Sequence, residues 1–266
     1  MARAEQQERP LAGVGVLVTR PAQQAAPLCA LLEAEGACAI RFPVLEIVSP
    51  DDTGVLNDII DRLESFDIAI FISPNAVKRA VNCIQARRAI PAGLRLAAVG
   101  RGSARTLAQL GLEVDIVPAT RFNSEALLEL AAMQQVAGKR IVIFRGEGGR
   151  ELLAETLRQR GAEVEYAEVY RRVKPKSDVA GLLRHWARGD VDVVTVTSND
   201  SLRNLYDMVG QLGRQWLQQT PLVVVSERTR ALAAELGFKQ VPVVASEASD
   251  EAIVRAVKEW RMAQVA

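Results

Sequence analysis

Hydroxyl-bearing, glycine and basic residues recur at six short turns: Thr19-Arg20-Pro21, Ser73-Pro74-Asn75, Gly100-Arg101-Gly102-Ser103, Arg145-Gly146-Glu147-Gly148-Gly149-Arg150, Thr197-Ser198-Asn199 and Ser226-Glu227-Arg228-Thr229. Each follows an apolar run and precedes a helix-compatible stretch, so its amides would stand at a helix N-terminus, where unpaired N–H groups and the dipole favour an anion. Ser, Thr and Asn also cap helices in any protein, and capping alone accounts for any one turn. Six turns of one chemistry, with Arg20 and Arg145 at matching places, favour a small anionic ligand. The candidate contacts are Arg20, Ser73, Asn75, Gly100, Ser103, Arg145, Gly146, Thr197, Ser198, Asn199, Ser226 and Thr229.

Other chemistries have weaker support. The lone histidine, His185, cannot build a His-rich zinc site, and any Ser-His-Asp triad would depend on it. Three cysteines, Cys29, Cys38 and Cys83, fit neither a disulfide framework nor a CxxC metal site and read as reduced and buried. No metal site is expected. The glycine turns miss the dinucleotide pattern, with Glu151 and Arg105 where it requires glycine, and neither carries a Walker Gly-Lys-Ser/Thr. Asp51-Asp52 and Asp250-Glu251 sit where acids favour a helix start.

The elements that must hold these turns alternate strand and helix. Val14 to Thr19, Ile68 to Ile72, Leu94 to Val99, Arg140 to Phe144, Val191 to Val196 and Leu222 to Val225 are short apolar runs suited to parallel strands buried on both faces. Helical stretches follow near 22–35, 74–86, 102–110, 148–160, 199–208 and 227–236. The two halves also match. An offset of 125 places Thr19-Arg20 on Phe144-Arg145, Asp67 on Asp192 and Ile72-Ser73 on Thr197-Ser198; an offset of 126 places Val99 on Val225 and Leu110-Gly111 on Leu236-Gly237. A period this long indicates two copies of one βα design rather than a solenoid. Segments 40–48 and 163–174 are equivalent, extended, and able to pair as a connector. Strict alternation in the second places Tyr166, Glu168, Tyr170 and Arg172 on one face, so that Tyr170 projects among charges toward solvent or a cleft.

The whole chain, 266 residues with 33 Lys plus Arg against 32 Asp plus Glu, carries a formal charge of +1, which argues against a nucleic-acid or polybasic membrane binder. Its 49% hydrophobic and 24% charged residues are ordinary for a globular protein, and the length suits two domains. No apolar stretch of signal-peptide or membrane-spanning character is present, so a cytoplasmic protein is expected.

The motifs, taken in order, resemble those of the uroporphyrinogen-III synthase family: Leu17-Val18-Thr19-Arg20-Pro21, Phe42-Pro43-Val44-Leu45-Glu46-Ile47, Phe71-Ile72-Ser73-Pro74-Asn75-Ala76-Val77, Ala98-Val99-Gly100, Val169-Tyr170-Arg171-Arg172, Val196-Thr197-Ser198-Asn199 and Arg230-Ala231-Leu232-Ala233-Ala234. The resemblance covers nearly the whole chain. It implies an α/β fold of two similar parallel-sheet domains joined by a two-stranded β connector, with the first βα unit exchanged between the sequence halves. One domain would hold 1–40 plus 175–266 and the other 50–165, with 41–49 and 165–174 as connector strands.

The resemblance further implies a cofactor-independent enzyme acting on hydroxymethylbilane, a linear tetrapyrrole with eight carboxylates. Loss of the terminal hydroxyl gives an azafulvene, and attack by the substituted carbon of ring D gives a spiro intermediate whose fragmentation and reclosure invert that ring. Tyr170 matches the family's connector tyrosine and is expected to protonate or hydrogen-bond the departing hydroxyl. Gly100, Ser103, Ser198 and Thr229 match positions that contact substrate carboxylates, often through backbone amides. Ser226 departs from a common Gly and Arg228 from a common Thr. A monomer is expected, with at most transient contact with the upstream hydroxymethylbilane synthase. Two other classes stay open: a non-catalytic two-lobed cytoplasmic sensor of a small anion, and a nucleotide-dependent transferase using Arg145 to Arg150 as a phosphate loop.

Overall fold

Apolar runs flanked by small or polar residues become strands along the chain, because a strand covered on both faces carries no polar alternation. The computed structural model describes residues 9–265. In chain order these form β1 (Gly15–Val18), α1 (Ala22–Ala34), β2 (Cys38–Arg41), β3 (Glu46–Val48), α2 (Gly54–Asp61), β4 (Ile68–Phe71), α3 (Pro74–Gln85), β5 (Arg95–Ala98), α4 (Arg101–Gln109), α5 (Ser124–Glu129), α6 (Ala131–Gln134), β6 (Arg140–Gly146), α7 (Leu152–Gln159) and β7 (Glu163–Val173). Then follow α8 (Val179–Arg188), β8 (Val193–Val196), α9 (Asn199–Met208), α10 (Gly210–Gln219), β9 (Leu222–Val224), α11 (Glu227–Glu235), β10 (Val243–Val244) and α12 (Asp250–Val265).

Two units result. The first takes the chain up to Glu46 and again from Val173; the second is Ile47–Arg172. The first unit's sheet has the order β10-β9-β8-β1-β2, paired in parallel throughout. The second sheet has the order β3-β7-β6-β4-β5, with parallel pairing among β7, β6, β4 and β5. The sequence offset carries β1 onto β6, and the order β9-β8-β1-β2 in one sheet matches β5-β4-β6-β7 in the other. Even the edges correspond: Ile116 bridges Ala97 of β5 in parallel, as β10 pairs with β9.

Both faces of each sheet are covered. In the first unit Val16, Val18, Leu28, Leu32, Ile253 and Val257 pack on one side, and Leu17, Val194, Val196, Leu202, Leu205 and Leu232 on the other. In the second, Ile68, Ile70, Ile141 and Ile143 meet Leu127, Leu153 and Leu157. Each such side chain contributes about 1.5–3 kcal/mol before chain entropy is counted. The repeat is visible at one polar position as well. Asp192, just ahead of β8, accepts from the Gly15 amide at 2.7 Å, and Asp67, just ahead of β4, accepts from the Arg140 amide at 2.8 Å.

Three expectations change. Only Cys29 is buried; Cys38 is exposed because β2 is a sheet edge, and Cys83 is half-buried. The helix expected from 148 begins at Leu152, because Gly148 and Gly149, at φ 69° and 117°, turn the chain first. Tyr170 does not share a face with Tyr166. Arg145 of β6 pairs with Glu168, but Gly146 pairs with Tyr170, so Val169 is an extra residue that reverses the alternation beyond it.

Candidate active site

The turns predicted from sequence lie at the carboxyl ends of the parallel strands, the end where open α/β sheets bind ligands. In the second unit β7, β6, β4 and β5 end side by side with Tyr170, Arg145 and Gly146, Ser73, and Gly100. Ser73 adopts an extended backbone and caps α3, its Oγ accepting from the Ala76 amide at 3.1 Å. Asn75 lies in the first turn of that helix. The Tyr170 ring crosses the Cα of Gly146, so its hydroxyl stands 3.3 Å from Ser73 Oγ. Arg172 donates to that phenol oxygen from Nη2 at 3.4 Å. Tyr170 is 1% exposed, so of the two expectations, solvent or a cleft, the structure removes the first, because the bulge turns the side chain onto the sheet.

Arg145 serves the protein's own loop. It is 3% exposed; Nε donates to the Gly146 and Gly148 carbonyls at 3.2 and 3.1 Å, and Nη1 pairs with Glu151 at 3.0 Å. Its guanidinium lies 4.4 Å from the Tyr166 ring centroid, and Tyr166 donates to Glu151 Oε2 at 2.5 Å. The charge expected to meet a ligand is therefore already answered, although a cavity of about 190 Å³, lined by Ile72, Val99, Ile143, Leu153, Tyr166 and Arg145, opens beside it. Gly146, expected as a contact, lies beneath the Tyr170 ring.

The N-terminus of α4, like those of α1 and α7, has no side-chain cap. The side chains of Ser73, Ser198 and Ser226 cap α3, α9 and α11, but Gly100 offers none to α4. Its first amides have no side-chain acceptor, so water or an anion can satisfy them. Ser103 is buried in that first turn.

In the first unit β9, β8 and β1 end side by side. Ser198 Oγ accepts from the Ser201 amide at 3.1 Å, and Ser226 Oγ accepts from the Thr229 amide at 3.2 Å. Thr229 Oγ1 donates to Asn199 Oδ1 at 2.8 Å, which joins the turns after β8 and β9. Thr197 is half-buried beside them. Arg20 forms an ion pair with Asp250 at the start of α12, so its charge too has an internal partner. A cavity of about 420 Å³ bounded by Phe42, Pro43, Ser177 and Leu182 holds none of the predicted residues. Sequence reasoning missed the Tyr170–Ser73 pair, because neighbours across three strands depend on strand order and on one bulge, neither of which composition reports. His185 is half-buried in the last turn of α8, with Nδ1 2.9 Å from Asp190. Among the described residues no group of His, Cys, Asp and Glu is placed to hold a metal, and no helix is long and apolar enough to cross a membrane.

A sequence model of the family described as uroporphyrinogen-III synthase HemD matches residues 26–255. The chain belongs to the uroporphyrinogen-III synthase family. It is 38% identical over 248 residues to the uroporphyrinogen-III synthase of Salmonella typhimurium and 36% identical over 247 to that of Escherichia coli, in each case over 92% of this chain and 100% of the relative. Among solved structures, a mutant uroporphyrinogen III synthase of the extremely thermophilic bacterium Thermus thermophilus superposes with a TM-score of 0.62 at 20% identity, over 95% of this chain and 99% of that one. The Helicobacter pylori uroporphyrinogen-III synthetase gives 0.61 at 14%, over 93% and 99%. These likenesses support the α/β fold of parallel sheets that uroporphyrinogen-III synthases share.

Proposed function

We propose that the chain is a uroporphyrinogen-III synthase, a lyase that closes hydroxymethylbilane to uroporphyrinogen III with loss of water and inversion of ring D in tetrapyrrole biosynthesis. The observation that carries this reading is the match, over the full length of both relatives, to two proteins of that name at 36–38% identity. The chemistry asks mainly for placement. The azafulvene closes to the type I isomer unaided, so the protein must hold the conformation in which the substituted carbon of ring D is in reach. Positioning of this kind is worth up to about 7–11 kcal/mol in favourable cases.

The substrate carboxylates take the helix N-termini. The amides of Gly100 to Ser103, which have no side-chain cap, form the leading seat, and the turns of Thr197, Ser198, Asn199, Ser226 and Thr229 serve further carboxylates. Arg20 and Arg145 act by shaping these turns, which fits their internal ion pairs. The paired hydroxyls of Tyr170 and Ser73 hydrogen-bond the departing hydroxyl, and Arg172 supports the phenol oxygen.

The two units are read as two domains, 1–40 plus 175–266 and 50–165, joined by 41–49 and 165–174, with the first βα unit exchanged. The position of β1 between β2 and β8, and the adjacency of β3 and β7, support this reading. A monomer in the cytoplasm that needs no cofactor, with at most transient contact with the upstream hydroxymethylbilane synthase, completes the proposal by family likeness.

The test supplies freshly made hydroxymethylbilane to purified protein without metal or nucleotide, oxidises the products, and separates type I from type III porphyrins. A large excess of type III is expected; type I alone, formed at the protein-free rate by a folded sample, sinks the proposal and favours a ligand sensor. Tyr170→Phe is expected to lower kcat by about tenfold, below the usual range for general acids because conformation supplies most of the advantage. Full activity in a folded Tyr170→Phe variant removes the role of the phenol.

A further inference from the structure

We infer that Gly146 is a positioning residue: the absence of a side chain there is the slot in which the Tyr170 ring lies, and it fixes where the phenol hydroxyl stands. This rests on the reading of Tyr170 given above. A Cβ built on Gly146 would lie 2.4 Å from Tyr170 Cε2, 2.6 Å from Cζ and 3.0 Å from Cδ2, where carbon atoms prefer about 3.5–4 Å. Gly146 is not among the glycines with positive φ. Its backbone is that of an ordinary strand, open to any residue, so the requirement for glycine comes from the ring above it.

The surroundings leave the ring little choice. Tyr170 is held at its backbone, because Gly146 pairs with it in the sheet register and its carbonyl accepts from the Glu147 amide at 2.7 Å. The side chain is 1% exposed, so a methyl group on Gly146 must displace a packed ring rather than a free end. The ring can yield only by rotating about its own side-chain bonds, and rotation carries Oη away from Ser73 Oγ at 3.3 Å and Arg172 Nη2 at 3.4 Å. The bulge at Val169 and the gap at Gly146 thus act as one device. The first turns Tyr170 onto this face, and the second lets it lie flat across β6 to reach the end of β4.

The experiment compares Gly146→Ala, Tyr170→Ala and the double variant in steady-state turnover of hydroxymethylbilane, together with ¹³C spectra of protein labelled at the tyrosine ζ carbon. The chain has three tyrosines, so Tyr170→Phe assigns the signal directly. In Gly146→Ala the Tyr170 resonance is expected to move while that of Tyr206 stays, and kcat to fall by about tenfold with KM changed by less than about twofold, the mark of a misplaced group rather than lost binding. In the Tyr170→Ala background the same substitution is expected to lower kcat no further. An unmoved Tyr170 resonance, full kcat in Gly146→Ala, or equal losses in both backgrounds overturns the inference. Should Gly146→Ala fail to fold, the double variant is expected to recover folded protein, since the blocking ring is gone; failure to recover also overturns it. If instead Tyr170→Phe keeps full activity, the catalytic reading of Tyr170 falls, the kcat outcomes no longer bear on the slot, and the Tyr170 resonance alone decides it: moved, it establishes the slot; unmoved, it overturns it.

Discussion

Tyr166 and Tyr170 stand four residues apart on β7 and face opposite ways, Tyr166 beneath the Arg145 guanidinium and Tyr170 over Gly146. Consecutive residues of β6 point to opposite faces, so the two rings do as well. Burial, and then the hydrogen bond to the Glu151 carboxylate, push the Tyr166 phenol up to about 12. The same hydrogen bond, followed by that from Arg145, holds the Glu151 carboxyl below its ordinary value. The signs differ. Tyr166 has a raised value, so its contribution to stability is complete below the ordinary phenol value of about 10 and is lost as pH climbs toward 12; Glu151 contributes above about 4.5 and loses its contribution as pH falls through its lowered value. Alkaline titration followed by tyrosinate absorbance is expected to lose a late contribution in Tyr166→Phe. A titration curve that Tyr166→Phe leaves unchanged in its late part would contradict the Tyr166–Glu151 bond.

At the scale of elements, two acids do one job in two places. Asp67 and Asp192 each precede a central strand and accept from the first amide of its neighbour, closing the sheet where the ladder has not begun. The Arg140 amide, then Lys139 at 3.0 Å, hold the Asp67 carboxyl below its usual value. A depressed carboxyl stabilises above about pH 4 and loses its effect as pH falls through the lowered value. Asp67→Ala is therefore expected to lower stability by about 1 kcal/mol at neutral pH, a modest figure because the side chain is partly exposed, with the difference from the parent shrinking in acid. Denaturant midpoints at several pH values check this, and a constant difference down to strongly acid pH would remove the charge from the account. The strands themselves were legible as runs such as Ile68 to Phe71 and Val193 to Val196, and the turn positions followed from them. The direction of Tyr170 was not, because a bulge is a relation between two strands and Val169 looks like any other strand valine. Nor was the internal use of Arg145, since an arginine beside glycines reads the same whether its partner is a ligand or the loop's own carbonyls.

For the whole molecule the charge balance bears on how a substrate with eight carboxylates arrives. A net charge of +1 provides no long-range attraction, so under the proposed function capture would fall to local donors, chiefly backbone amides at helix starts. Contacts of that kind are partly sheltered from ions, and kcat/KM is expected to fall by less than about tenfold between low salt and about half-molar salt. A hundredfold fall would instead point to several exposed arginines gripping the substrate directly. The repeat made this scale the most legible of the three: an offset found in the sequence reappears as the matched strand orders of the two sheets.

The pairing of β1 with β8 has a consequence for biosynthesis. The Gly15 amide finds its acceptor 177 residues downstream, so a chain emerging from the ribosome displays the apolar β1, and the Leu28 and Leu32 face of α1, long before β8 and α12 exist to cover them. The second unit, a single uninterrupted stretch from Ile47 to Arg172, can close in the meantime. The nascent N-terminal segment is then a waiting sticky end, and a message truncated before Val193 would yield a protein that no later packing could rescue from aggregation.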